Sequence, residues 1–257
     1  MSTTDADSMP VQAHTYEATL YGPLFYGSEE GSVIRTDPTI AATALAHAIG
    51  YEYYDLTKRY LLLNEETVDP SYDHLAGLPF VISEMTPATD DIEADERTFR
   101  TVSYGTERTV VSSDTNVGQY LTGAKSPVPR GIEGSNAGWH KVREYVGLSP
   151  DTDSSRPTFT FTMWTRPDSP PPETLGFRVG IKRTGEVRAE RAASPTDSVA
   201  LNHFLLESVY EVPDEHVSEL LRHSDSYDRG TDVRTSRFHG VDRDWVEQTI
   251  ISEILHD

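Results

Sequence analysis

A chain of 257 residues with 42 Asp and Glu against 22 Lys and Arg carries a formal net charge of −20 and contains no cysteine. The length is enough to bury a full core, and the missing cysteine excludes disulfides, thiolate metal sites and cysteine nucleophiles. Only Lys58, Lys125, Lys141 and Lys182 are lysines, so the charge reads as an arginine-biased surface adapted to high salt, where screening shortens to about 3 Å at 1 M, rather than as a site for a cationic partner. No run approaches the roughly 18 apolar residues of a membrane span, and MSTTDADSMP has acids where a secretory signal needs a basic run. A cytoplasmic protein that meets no membrane is expected.

Residues 1–13 read as a disordered acidic leader and 14–257 as a single domain. In HTYEATLY, Tyr16, Ala18 and Leu20 alternate with Thr15, Glu17 and Thr19, which predicts a first strand. PTIAATALAHAIG predicts a core helix over 38–49, with Asp37 as its cap, Pro38 as its first residue and Gly50 as its stop. From about 56 to 123 the periodicity weakens, which reads as an insertion with a possible hairpin in RTFRTVSYGTERTVVSS, and GAKSPVPRGIEGSNAG reads as a long loop. TFTFTMWTR then sets Phe159, Phe161 and Met163 against Thr160, Thr162 and Trp164. LGFRVGIKR sets Leu175, Phe177, Val179 and Ile181 against Arg178 and Lys182, and the two strands most simply pair as a hairpin. PTDSVALNHFLLESVY is expected to be a helix capped by Asp197. A short helix near PDEHVSELLR, a possible strand in DVRTSRFHG and a final helix with Val246, Ile250 and Ile254 at fourfold spacing complete the chain. The order is βαββαβ, an α+β ferredoxin-like core with an antiparallel sheet and extra C-terminal helices.

No nucleotide-binding glycine loop, serine-hydrolase elbow or zinc-protease motif is present. The nine histidines are scattered: His216 and His223 flank a solvated helix face, and DDIEADE lacks the turn glycine of a calcium loop. His47, on the first helix near the core edge, is the one candidate general base, and a packed residue is the simpler account of it. No metal or cofactor is expected. The clearest chemical signal is GFRVGIKRTGEVRAER, where Arg178, Lys182, Arg183, Arg188 and Arg191 face two acids in a chain of opposite sign. Gly176, Gly180 and Gly185 in the same stretch would let the backbone approach a phosphate. GWHKVREY adds His140, Lys141 and Arg143 beside Trp139 and Tyr145, which can stack on bases. The plainer alternative is a strand face that arginines merely solvate.

LYGPLFYGSEEGSVIRTDPTIAATALAHAIGY, from Leu20 to Tyr51, resembles the N-terminal signature of the Cas-five (Csc-one) subunit of type I-D CRISPR effector complexes, of the RAMP superfamily. There a strand leads to a pair of aromatics, a Glu/Gly loop, an Arg-Thr-x-Pro cap and an Ala/Leu-rich helix. The succession GWHKVREYVGLSP, TFTFTMWTR, LGFRVGIKRTGEVRAE resembles the family's later pattern, in which a basic turn follows an apolar strand. The resemblance implies an RRM-related core and a non-catalytic subunit that binds the 5′ handle of the guide RNA (crRNA). It also implies contact with the neighbouring backbone and large subunits and, only indirectly, with target DNA. The RNA-contacting side chains would be Arg35, Arg130, His140, Lys141, Arg143, Arg178, Lys182, Arg183 and Arg188. Some relatives cleave RNA, which keeps a metal-independent endoribonuclease using His47 as an alternative. A salt-adapted protein-interaction module without nucleic acid is another.

Overall fold

The computed structural model describes residues 11–26, 33–34, 36–56, 72–89, 94–100, 103–104, 108–109, 140–147, 156–180, 183–230 and 233–256. Most of the expected leader and all of the loop GAKSPVPRGIEGSNAG lie outside them. In chain order the strands are β1 (Gln12–Leu20), β2 (Val33–Ile34), β3 (Phe80–Ile82), β4 (Thr86–Pro87), β5 (Ala94–Arg100), β6 (Ser103–Tyr104), β7 (Arg108–Thr109), β8 (His140–Val146), β9 (Thr158–Thr165), β10 (Thr174–Val179), β11 (Gly185–Arg191), β12 (Ser198–Asn202), β13 (Ser226–Asp228) and β14 (Arg237–Asp242). The helices are α1 (Ala42–Tyr53), α2 (Asp214–His223), α3 (Arg243–Val246) and α4 (Ser252–His256).

The alternating strands build the centre. β10, β11, β1, β9 and β3 lie side by side in that order, with β4 also on β9, and all their pairings are antiparallel. Tyr16, Ala18, Leu20, Phe159, Phe161, Met163, Leu175, Phe177 and Val179 turn to one face, as their period of two requires, and are buried under α1. The expected hairpin between the 158–165 and 174–179 strands does not form. β9 pairs with β1, and β10 pairs with β11, so the two share a sheet without touching. β3 and β4, inside the stretch read as an insertion, are part of this sheet. The chain leaves the sheet after β4. β5 pairs with β8, β2 adds in parallel, and β6 pairs with β7 inside RTFRTVSYGTERTVVSS, where a hairpin is expected.

α1 is built on alternate alanines, good helix formers whose small side chains let it lie close to the sheet. It starts later than the 38–49 reading. Ile40 bridges to Met85 in extended form, and Asp37 is occupied by an Asx turn to the Thr39 amide (2.9 Å). Gly50 is not the stop. It lies inside the helix, where a Cβ would stand 3.0 Å from Leu78 and 3.2 Å from Leu56. Asp55, at φ +51°, ends the helix instead, with the Tyr54 and Leu56 amides both falling on the Gly50 carbonyl.

The C-terminal third adds a second layer. The expected 195–210 helix is a strand in its first half: Ser198–Asn202 pairs with β14, and only the π-helical turn Leu205–Val209 is helical beyond it. β12, β14 and β13 form a small sheet. Asp242 caps α3 by accepting from the Trp245 amide (2.8 Å), and a π-helical turn, Glu247–Ile251, joins α3 to α4. That turn shifts the apolar stripe from Val246 and Ile250 to Ile251 and Leu255, leaving Ile254 only partly buried. This layer buries Trp164 and Val81, so it covers the β9–β3 half of the sheet's second face.

Candidate nucleic-acid interface

Among the described residues nothing covers the other half of that second face, and the register sets out its side chains. Thr158, Thr19, Arg188 and Gly176 form one row across β9, β1, β11 and β10. Thr160, Glu17, Glu190 and Thr174 form the next, and Glu186 and Arg178 pair on the far side of the first. Arg178 and Arg188 are each 63% exposed, and both lean on Glu186, at 3.2 and 3.9 Å. Pairs this exposed restrain two flexible side chains weakly. Tyr21, just past the end of β1, is 43% exposed, with the guanidinium carbons of Arg156 and Arg188 at 4.5 and 4.8 Å from its ring centre. The open half is therefore polarised, with Arg156, Arg178 and Arg188 at the Tyr21 end and Glu17 and Glu190 behind them.

The basic stretch from 176 to 191 is not one patch. Arg191 has the parity of the packed face and is used structurally, paired to Glu173 (2.6 Å) and donating to the Pro171 carbonyl (2.7 Å). Arg183 stands in the turn after β10 at φ +55°, its guanidinium 5.1 Å from the Tyr51 ring centre. The glycines correct the sequence reading. A Cβ on Gly180, at φ +82°, would meet Leu24 and the Phe25 carbonyl at 2.8 Å, and one on Gly185 would meet Leu24 at 3.0 Å. Both are small so that the β10–β11 turn can pack on the Leu24–Phe25 segment, not to admit a phosphate. Gly176 sits on the edge strand, its amide donating to the Tyr53 hydroxyl at 2.7 Å. His140, Lys141 and Arg143 share β8, away from the central sheet. Arg35, Arg130 and Lys182 lie outside the described residues.

His47 has a partner that the sequence did not disclose. Its Nδ1–H donates to the Thr43 carbonyl (2.8 Å), so its Nε2 accepts from Nε2–H of His74, 2.9 Å away on the 3₁₀ turn Asp73–Leu75. Burial, and then His74, hold the His47 pKa below the ordinary histidine value against the pull of the Thr43 carbonyl. Burial does the same to His74. Both nitrogens of His47 are engaged, which is the geometry of a packed pair.

The second missed group is buried where the two layers meet. Arg237 is 4% exposed and donates to both carboxylate oxygens of Asp37, at 2.8 and 3.4 Å. Beside it, Glu84 is fully buried; its Oε1 accepts from Asn202 (2.7 Å) and its Oε2 has no hydrogen-bond partner. Burial pushes the Glu84 pKa up to about 7, against the opposing pull of Arg237, Asn202 and the Ala42 amide at the start of α1. Among the described residues no three His, Asp or Glu converge as a metal site, and no helix is long and apolar enough to cross a membrane.

These features define an α+β protein whose antiparallel sheet is covered by a helix on one face and over half of the other by a second layer, with exposed arginines on the remaining half. Residues 11–222 match the family described as type I-D CRISPR-associated protein Cas5/Csc1, and the chain belongs to that family. Association with a type I-D CRISPR effector complex follows from membership. The match ends within α2, so β13, β14, α3 and α4 lie beyond it. No curated protein matches the chain.

Proposed function

We propose that this chain is a non-catalytic, cytoplasmic subunit of a type I-D surveillance complex that holds the 5′ handle of the guide RNA on the open half of its sheet and contacts the neighbouring backbone and large subunits. The observation that carries the reading is the exposed Arg178–Arg188 pair on a sheet face that no described residue covers, in a chain whose net charge is −20. Where salt removes long-range steering, guanidinium forks at contact distance are the groups that still hold a phosphate. The strand order supports a ferredoxin-like, RRM-related core. β3, β9, β1 and β11 stand in the order 2-3-1-4 with α1 between the first two strands in sequence, and the edge strand β10 lies in the chain where a second helix would stand. The engagement of both His47 nitrogens argues against the endoribonuclease alternative.

The test replaces Arg178 and Arg188 together with alanine in the full chain, co-expressed with its partner subunits. Guide RNA recovered with the complex should fall well below wild type, while the isolated variant melts within about 1 kcal/mol of it, because both side chains are exposed. A variant complex of normal size carrying undiminished guide RNA refutes the proposal.

A further inference from the structure

Tyr21 is a large apolar ring held at the surface by a rigid backbone. The Leu20 amide donates to the Pro157 carbonyl (3.0 Å) on the β9 side, and the Tyr21 amide donates to the Glu186 carbonyl (2.7 Å) on the β11 side. Gly22 follows, where any Cβ would stand 2.6 Å from the Thr184 carbonyl, so the segment is pressed against the β10–β11 turn. Each flanking strand also sends a cation to the ring: Arg156 from just before β9 and Arg188 from β11. A ring this exposed and this firmly mounted offers a flat π-face at little ordering cost, and the guanidinium groups on it are planar, weakly hydrated and displaceable.

We propose that Tyr21 is the stacking platform for one unpaired base of the bound RNA, and that Arg156 and Arg188, which cover its ring in the free protein, move onto the flanking phosphates when the base arrives. The inference rests on the RNA-binding reading above and names how that site takes its ligand. A base stacked on tyrosine replaces one π-contact with another, and each released guanidinium gains a charge-assisted bond to phosphate in place of an exposed contact. Arg178, one row further out and paired with Glu186, would extend the phosphate track. Because the platform needs a base outside a helix, a duplex should not use it.

The experiment titrates the full-length protein into a fluorescently labelled eight-nucleotide oligouridine RNA and into an RNA duplex of equal length, at several salt concentrations. Tyr21→Ala should weaken single-strand binding roughly 10- to 100-fold without changing its salt dependence, and Tyr21→Trp should restore it. The double substitution Arg156→Ala, Arg188→Ala should instead flatten the log–log salt slope by about 1.4, the loss of two phosphate contacts on a single strand. Wild-type duplex binding should be indifferent to Tyr21→Ala. If Tyr21→Ala binds oligouridine as wild type does while the arginine variant is impaired, the platform is refuted and the RNA-binding reading stands. If neither the wild-type chain nor its assembled complex retains RNA, both fall.

Discussion

Replacing Glu84 with glutamine tests the buried junction between the two layers. Burial lifts the folded-state pKa of this carboxyl from an ordinary 4.5 to about 7, so the folded protein holds a proton that the unfolded chain releases. A raised carboxyl pKa means that stability is fully present below about pH 4.5 and is lost as pH rises through about 7. Integrated between pH 5 and pH 8, the shift amounts to about 2–3 kcal/mol. Glu84 is fully buried, so the figure needs no discount for solvent screening. Glutamine keeps an oxygen for Asn202 and cannot ionise. Relative to wild type, Glu84→Gln should therefore gain about 2–3 kcal/mol on going from pH 5 to pH 8, whatever its offset at pH 5. Urea unfolding of both proteins at pH 5, 6, 7 and 8 measures this, and the difference between the two curves removes the contributions of the histidines. A difference that stays flat across that range refutes a neutral, buried Glu84.

Arg237→Ala removes the cation that neutralises Asp37 and lowers Glu84, and should cost about 3–5 kcal/mol in urea unfolding at pH 7, far more than any substitution on the open sheet face. Gly180→Ala must accept φ +82° and a 2.8 Å approach to Phe25, so a loss of at least about 1 kcal/mol is expected on thermal unfolding. Gly77→Ala, whose Cβ would come no closer than 3.6 Å to its nearest neighbour, serves as the tolerated control. His47→Ala should leave guide RNA processing in co-expressing cells unchanged. Metal-independent cleavage of repeat RNA by the purified wild type that disappears in His47→Ala would make the chain a nuclease. Because burial lowers both His47 and His74, their pairing contributes stability that is present above about pH 6.5 and lost as pH falls through their depressed values, and His47→Ala should reduce that acid sensitivity in unfolding curves.

Local pattern was enough for what depends on near neighbours. Alternation in HTYEATLY, TFTFTMWTR and LGFRVGIKR identified β1, β9 and β10 and their buried faces, and the Ala-rich run identified α1. The outward Arg178 and the helical repeat of Val246 and Ile250 were also visible, because a period is a property of a few consecutive residues, whereas β11, and with it the outward Arg188, was not read as a strand. Partners distant in sequence decided the rest. β9 chose β1, about 145 residues away, over β10, and Ser198–Asn202 became a strand because β14 offered a ladder, overriding the helical reading of a short apolar run. Asp37 looked like a cap and is an ion-pair partner of Arg237, 200 residues on. The glycines of the basic turn looked like phosphate contacts and are packing positions, since only the fold brings Leu24 and Phe25 against them. Tyr21 with Arg156 and Arg188, His47 with His74, and Glu84 with Asn202 are each assembled from separate elements. No spacing along the chain encodes such meetings; they arise because burying one sheet face under α1 and half of the other under the C-terminal layer brings those elements together.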